Sequence, residues 1–167
     1  MKLTLTRFTL IAGAIAVVGI ANRFAGPMVN LTHSEPTGIY LRLPGRPEPG
    51  GMVALRPLMK HVVAVPGDTV RVTPEGSYVN NKLWPYSGIP ATTSYQPFPF
   101  GAYTLQAGQY WLLGTSPDSW DSRYIGPVPI DLIGSTIRRV WTASSGYAAA
   151  TPRGARLDHN DKSGVLP

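Results

Sequence analysis

The chain has no cysteine in its 167 residues. That absence excludes disulfides, thiolate nucleophiles and cysteine metal sites, and it is compatible with an oxidising compartment. Histidine is almost as scarce. His33, His61 and His159 are dispersed and no HExxH spacing occurs, so the ligand set of a zinc hydrolase is missing and neither a metal nor another cofactor is expected. Acidic residues number 9 against 15 Lys+Arg, a net charge of +6. The basic residues form no dense run, so nucleic acid is not an expected partner. No internal repeat of fixed period is present, and no long amphipathic helical pattern follows the N-terminal segment.

What remains is one domain's worth of chain with a membrane anchor. Residues 8–22 carry no charge between Arg7 and Arg23. Leu3, Leu5 and Phe24 lengthen this apolar core and Arg7 can snorkel, so residues 1–26 are expected to form a single spanning helix. The competing reading is a cleaved signal peptide. Its small-x-small sites at Ala12-Gly13-Ala14 and Ala14-Ile15-Ala16 lie inside the apolar run rather than after it. Lys2, Arg7 and the amino terminus outweigh Arg23, which predicts a cytoplasmic N-terminus, an inner-membrane location and the remainder of the chain in the periplasm.

From Pro27 onward the pattern is mainly β. Short runs with β-branched residues recur at 38–43, 52–55, 61–65, 69–72, 77–79, 103–105, 109–113 and 132–141, separated by Pro, Gly and Asn signals. Gly 18 and Pro 17 suit short strands joined by turns. Asn80-Asn81 predicts a tight hairpin, because Asn tolerates positive φ. The proline-rich stretch from Tyr86 to Gly101 predicts a loop beside the sheet. The catalytic domain is thus expected over 27–142. After it, residues 143–167 form a polar, small-residue tail expected to be mobile and dispensable.

Two local patterns carry chemistry. Ser34 stands in Ser-Glu-Pro-Thr-Gly, which composition alone marks as a turn. Lys60 opens the run Lys-His-Val-Val-Ala-Val-Pro-Gly-Asp. A lysine among valines has the desolvated setting that keeps an amine neutral, and only a neutral amine can activate a serine hydroxyl. The Pro66-Gly67-Asp68 turn is expected to reverse the chain so that the next strand packs beside the one bearing Lys60. His33 and His61 adjoin Ser34 and Lys60 in sequence and therefore point to opposite faces of extended segments, which disfavours a Ser-His-Asp triad.

With a third run, Gly-Thr-Ser-Pro-Asp-Ser-Trp-Asp-Ser-Arg-Tyr-Ile-Gly-Pro-Val-Pro at 114–129, these motifs resemble the boxes of type I signal peptidases, and among them the TraF-type peptidases of conjugative plasmid transfer. Ser34 in S-x-P-x-G followed by Ile39-Tyr40 matches the TraF-type pattern, whereas ordinary signal peptidases place Met after the serine. Lys60 in K-x-V-x-x-x-P-G-D matches a family signature. The resemblance implies a signal-peptidase-like β domain of short antiparallel strands, with Ser34 as nucleophile and Lys60 as general base. It implies supporting roles for Asp121 and Arg123 as a charged pair, for Ser119 as a hydroxyl bonded to the lysine and, more weakly, for Thr32 as an oxyanion donor. The implied substrate is a membrane-inserted precursor, a pilin or a secretory protein, cut next to small side chains. A general type I signal peptidase and a non-catalytic anchored scaffold are the alternatives. A self-cleaving repressor is disfavoured by the anchor and by the lack of a helical DNA-binding domain.

Overall fold

The hydrophobic runs pair into two antiparallel sheets. In the computed structural model the described residues are 26–55 and 58–143, together with Thr9, Ile11, Ala12, Gly13, Ala16, Val17 and Gly19 of the N-terminal segment, which are helical. Most of the expected anchor, and the expected tail beyond 143, lie outside the described residues. Among the described residues no helix is long and apolar enough to cross a membrane.

The strands are β1 (Pro27–Asn30), β2 (Gly38–Leu43), β3 (Met52–Leu55), β4 (Leu58–Ala64), β5 (Thr69–Thr73), β6 (Gly76–Val79), β7 (Lys82–Leu83), β8 (Gly101–Thr104), β9 (Gln109–Leu113), β10 (Val128–Pro129) and β11 (Ser135–Thr142). One four-residue helix, α1 (Ser122–Ile125), lies between β9 and β10, and a 3₁₀ turn spans Ile130–Leu132. The larger sheet has the order β1-β2-β11-β3-β4-β9-β10, and the smaller one β7-β6-β5-β8. Strand β4 is central to the larger sheet, with β3 and β9 as neighbours. Both of its faces are covered. Val62 packs with Val53, Leu112 and Val128 on one side, while Val63 and Ala64 join Val70, Val72, Val79 and Trp111 in the core shared with the smaller sheet. Burial on both faces is why this strand reads as an unbroken apolar run rather than an alternation.

The Asn80-Asn81 hairpin forms between β6 and β7, with φ of 47° and 69° at its two central residues. Positive φ at both positions is the mirror-image turn whose twist matches the flanking strands. The stretch from Tyr86 to Gly101 is a loop up to the start of β8. One expectation is corrected. The strand after Pro66-Gly67-Asp68 does not lie beside β4 in the same sheet, although its side chains meet those of β4 in the shared core. It pairs with β6 and β8 in the smaller sheet. The turn cannot close a hairpin on β4 because its hydrogen bonds go elsewhere: Gly67 N donates to Leu105 O at 2.9 Å and Leu105 N to Asp68 O at 2.9 Å. The Asp68 carboxylate then accepts Val65 N and Asn80 Nδ2, locking the corner at which the chain passes from one sheet to the other.

Candidate active site

Lys60 lies in the middle of β4, opposite Val53 of β3. It is 1% exposed, so its four-carbon stem is packed and its amine is almost wholly withdrawn from water. Nζ donates to Ser119 Oγ at 2.7 Å. Burial lowers the Lys60 pKa from the ordinary 10.5, and Arg123 adds to the lowering, while Asp121 and Glu35 oppose it. Desolvation wins, which is the condition for a neutral amine.

The loop after β9 brings the hydroxyl to the lysine. Asp121 is 1% exposed and caps α1, accepting Arg123 N at 3.2 Å and Arg123 Nε at 2.9 Å on Oδ1. Its Oδ2 accepts Gly114 N and Arg123 Nη2, both at 2.9 Å. The guanidinium spends its other protons on backbone carbonyls: Ser116, Ser119 and Gly88, each at 3.0 Å. Ser122, also buried, accepts Leu112 N through Oγ at 2.9 Å. The Asp121–Arg123 pair therefore holds the main chain on either side of Ser119, and it does so from outside the reach of solvent. Gly114 completes the packing. A Cβ there would fall on the Ser119 hydroxyl and lie 3.0 Å from Ser34 O, so glycine leaves the space in which Ser119 meets Lys60.

Ser34 is half-buried in the loop between β1 and β2. Its carbonyl accepts Thr115 N at 3.0 Å, which seats this loop against the end of β9. Asn30, 2% exposed, closes the loop from within: Nδ2 donates to the carbonyls of Thr32, Glu35 and Pro36 at 3.2, 2.8 and 3.2 Å. Tyr40, fully buried, donates its hydroxyl to Pro36 O at 2.7 Å. Burial, helped by Glu35 and opposed by Arg139, pushes this phenol up to about 12, so it remains a donor. The Thr32 hydroxyl donates to Asn30 Oδ1 at 2.7 Å. Among the described residues no hydrogen bond joins the Ser34 side chain to Lys60; the amine is held by Ser119.

The structure thus brings Lys60, Ser119, Asp121 and Arg123 into one bonded cluster and sets the Ser34 main chain against Gly114 and Thr115 beside it. Sequence reasoning assigned no role to Asn30, Glu35, Gly114, Thr115 or Ser122. Asn30 and Glu35 look like ordinary turn residues, and only the folded register shows what they touch. A largely apolar cleft of about 730 Å³ opens at Lys60, lined by residues that include Leu55, Leu58, Leu112, Ile125, Val128 and Leu132. Such a surface suits an apolar stretch of polypeptide. Among the described residues no group of three or more acidic or histidine side chains could hold a metal ion.

A mainly β domain with a buried lysine held to a serine hydroxyl fits a class of serine peptidase. The chain belongs to the signal peptidase family, peptidase S26, whose model matches residues 8–141. Two plasmid transfer proteins TraF of Escherichia coli are similar to it. One is 32% identical over 170 residues, covering 83% of this chain and 96% of its own length. The other is 31% identical over 165 residues, covering 80% and 93%. A probable signal peptidase I-2 of Synechocystis is 35% identical over 85 residues, covering 50% of this chain and 38% of its own length.

Proposed function

We propose that this protein is a membrane-anchored serine endopeptidase with a Ser34/Lys60 dyad that processes a pilin precursor for conjugative DNA transfer. The observation that carries the reading is Lys60: a lysine withdrawn from water, with a lowered pKa and its amine bonded to Ser119 at 2.7 Å. The similarity to TraF proteins over most of their length supports the transfer role over a general signal peptidase.

In this mechanism Ser34 Oγ attacks the scissile carbonyl while Lys60 Nζ takes its proton. The Ser34 backbone N–H stabilises the oxyanion, and the Thr32 hydroxyl joins it as a second donor only by giving up its bond to Asn30 Oδ1. Collapse of the tetrahedral species breaks the C–N bond as Lys60 returns the proton to the leaving amine, leaving an acyl-enzyme on Ser34. Water then regenerates the serine, or the substrate's own amino terminus attacks and closes a ring. The serine–lysine hydrogen bond forms on substrate binding, since catalytic contacts are often long in a free enzyme. The apolar cleft receives the hydrophobic part of the precursor, and anchorage in the inner membrane with the domain in the periplasm puts the site beside membrane-inserted substrates.

The test is the mass of the mature pilin made with wild-type protein, with Ser34→Ala and with Lys60→Ala. Both variants are expected to leave the precursor uncut while remaining folded and membrane-bound, because nucleophile and base act as a unit. A product one water lighter than the linear chain identifies cyclisation. Wild-type processing by either variant overturns the dyad, and a transfer defect without a processing defect favours the scaffold.

A further inference from the structure

Two polar groups, one buried and one largely so, have no part in the mechanism above, and each is the sequence neighbour of a residue of the proposed dyad. Glu35 follows Ser34 and is 3% exposed. His61 follows Lys60, and its Nε2 lies 3.2 Å from Glu35 Oε2. The side chains of the pair are 11% exposed for His61 and 1% for Glu35. Glu35 also accepts from Thr115, through N at 3.2 Å and Oγ1 at 3.5 Å, the same residue whose N–H binds Ser34 O. Because side chains alternate along a strand, His61 leaves β4 on the face opposite Lys60.

A carboxylate taken out of water is a weak source of stability, because desolvation offsets most of what its partner returns. A placement role accounts for it better. The nucleophile loop is braced internally by Asn30 and against β2 by Tyr40, and it touches β9 through Thr115. None of these contacts reaches β4. Among the described residues the Glu35–His61 contact is the only hydrogen bond between residues 31–37 and β4.

We propose that Glu35 and His61 are positioning residues: their contact ties the segment that bears Ser34 to the strand that bears Lys60, from the far face of the sheet, and so sets the separation of nucleophile and base. The proposal rests on the Ser34/Lys60 reading. The same carboxylate has a second effect. The charged groups acting on Lys60 are Asp121 and Glu35, which favour its protonated form, and Arg123, which opposes it. Glu35 faces His61 of β4 and also acts on the Tyr40 phenol of β2. Replacing Glu35 by glutamine keeps the shape of the tie and removes one of the two charges that hold the Lys60 proton.

The experiment compares full-length wild-type protein in detergent micelles with His61→Ala, His61→Gln, Glu35→Gln and Ser34→Ala. The substrate is an internally quenched peptide with Ala-Gln-Ala ahead of the scissile bond. His61→Ala is expected to lose on the order of tenfold to a hundredfold in kcat, with KM held within about twofold, the size of effect that a small misplacement of reacting groups produces. His61→Gln, whose amide can still donate to Glu35, is expected to recover most of that loss. In Glu35→Gln the acid limb of the kcat profile moves to lower pH. A substrate-independent measurement accompanies these. The chain has only four lysines, Lys2, Lys60, Lys82 and Lys162, so the ¹³Cε signal of Lys60 can be titrated in the Ser34→Ala background. Adding Glu35→Gln should move that titration downward. Wild-type kcat in His61→Ala, equal losses in His61→Ala and His61→Gln, or a Lys60 titration unmoved by Glu35→Gln each overturn the proposal. Cleavage by Ser34→Ala overturns the dyad reading instead, which separates the two failures.

Discussion

Gly114 and Ser119 occupy one space: the position of a Cβ on Gly114 is taken by the Ser119 hydroxyl, with Ser119 Cβ 2.6 Å away. The first residue after β9 therefore lacks a side chain so that Ser119, further along the loop, can place its oxygen on Lys60. Gly114 is also fixed through its own N–H, which donates to the buried carboxylate of Asp121 at 2.9 Å.

The first prediction follows from that overlap. Gly114→Ala is expected to push Ser119 off the amine and to strain the contact with Ser34 O. Overpacking of this kind costs about 1–3 kcal/mol. Activity should fall further than stability implies, because the displaced hydroxyl is the one that holds Lys60, the base of the proposed dyad. Kinetics and a thermal melt on the same preparation check this, and a fully active Gly114→Ala protein would show that Ser119 does not orient Lys60.

The second concerns pH. A lysine whose folded pKa is lowered binds fewer protons folded than unfolded, between the folded value and the ordinary 10.5. In that window unfolding takes up a proton, so stability rises with pH; below the folded pKa the full penalty of the buried charge is present. Lys60→Met removes the penalty. The variant is expected to melt higher than wild type at neutral pH, with the difference shrinking as pH climbs toward 10.5, and to be inactive throughout. Wild-type activity should rise with pH through the folded pKa, which burial places below 10.5. A rate flat from pH 5 to 10 with chemistry limiting would exclude a lysine base.

The third separates structural from chemical roles in the loop. Asp121 accepts four hydrogen bonds and Arg123 donates to three carbonyls, all within a cluster in which both residues are 1% exposed. Breaking a buried pair leaves one charge uncompensated, at a cost on the order of 3–5 kcal/mol. Arg123→Ala and Asp121→Asn are expected to lower the melting temperature sharply and to lose activity through the loosened Ser119. Ser34→Ala is expected to leave the melting temperature unchanged. If Asp121→Asn melts like wild type and is inactive, Asp121 takes a direct part in the chemistry.

Local patterns in the chain account for much of this molecule. Short apolar runs and turn residues marked the strands 38–43, 52–55 and 109–113 at their observed ends, and Asn80-Asn81 announced its hairpin, because these depend on neighbours a few residues apart. The short strands β1, β7 and β10 carry no periodicity of their own and exist because a longer strand offers them partners. The apolar run after Lys60 likewise signalled a desolvated amine, since burial follows from the valines beside it.

What the chain could not reveal is which distant groups share a space. Pro66-Gly67-Asp68 reads as a hairpin corner, yet Leu105 and Asn80 capture its hydrogen bonds and send β5 into the other sheet. Glu35 and His61 meet across 26 residues, and Lys60 and Ser119 across 59. Side-chain identity set what each group can donate or accept. The register of β4 between β3 and β9, settled by burial on both faces of the sheet, decided which of them face one another.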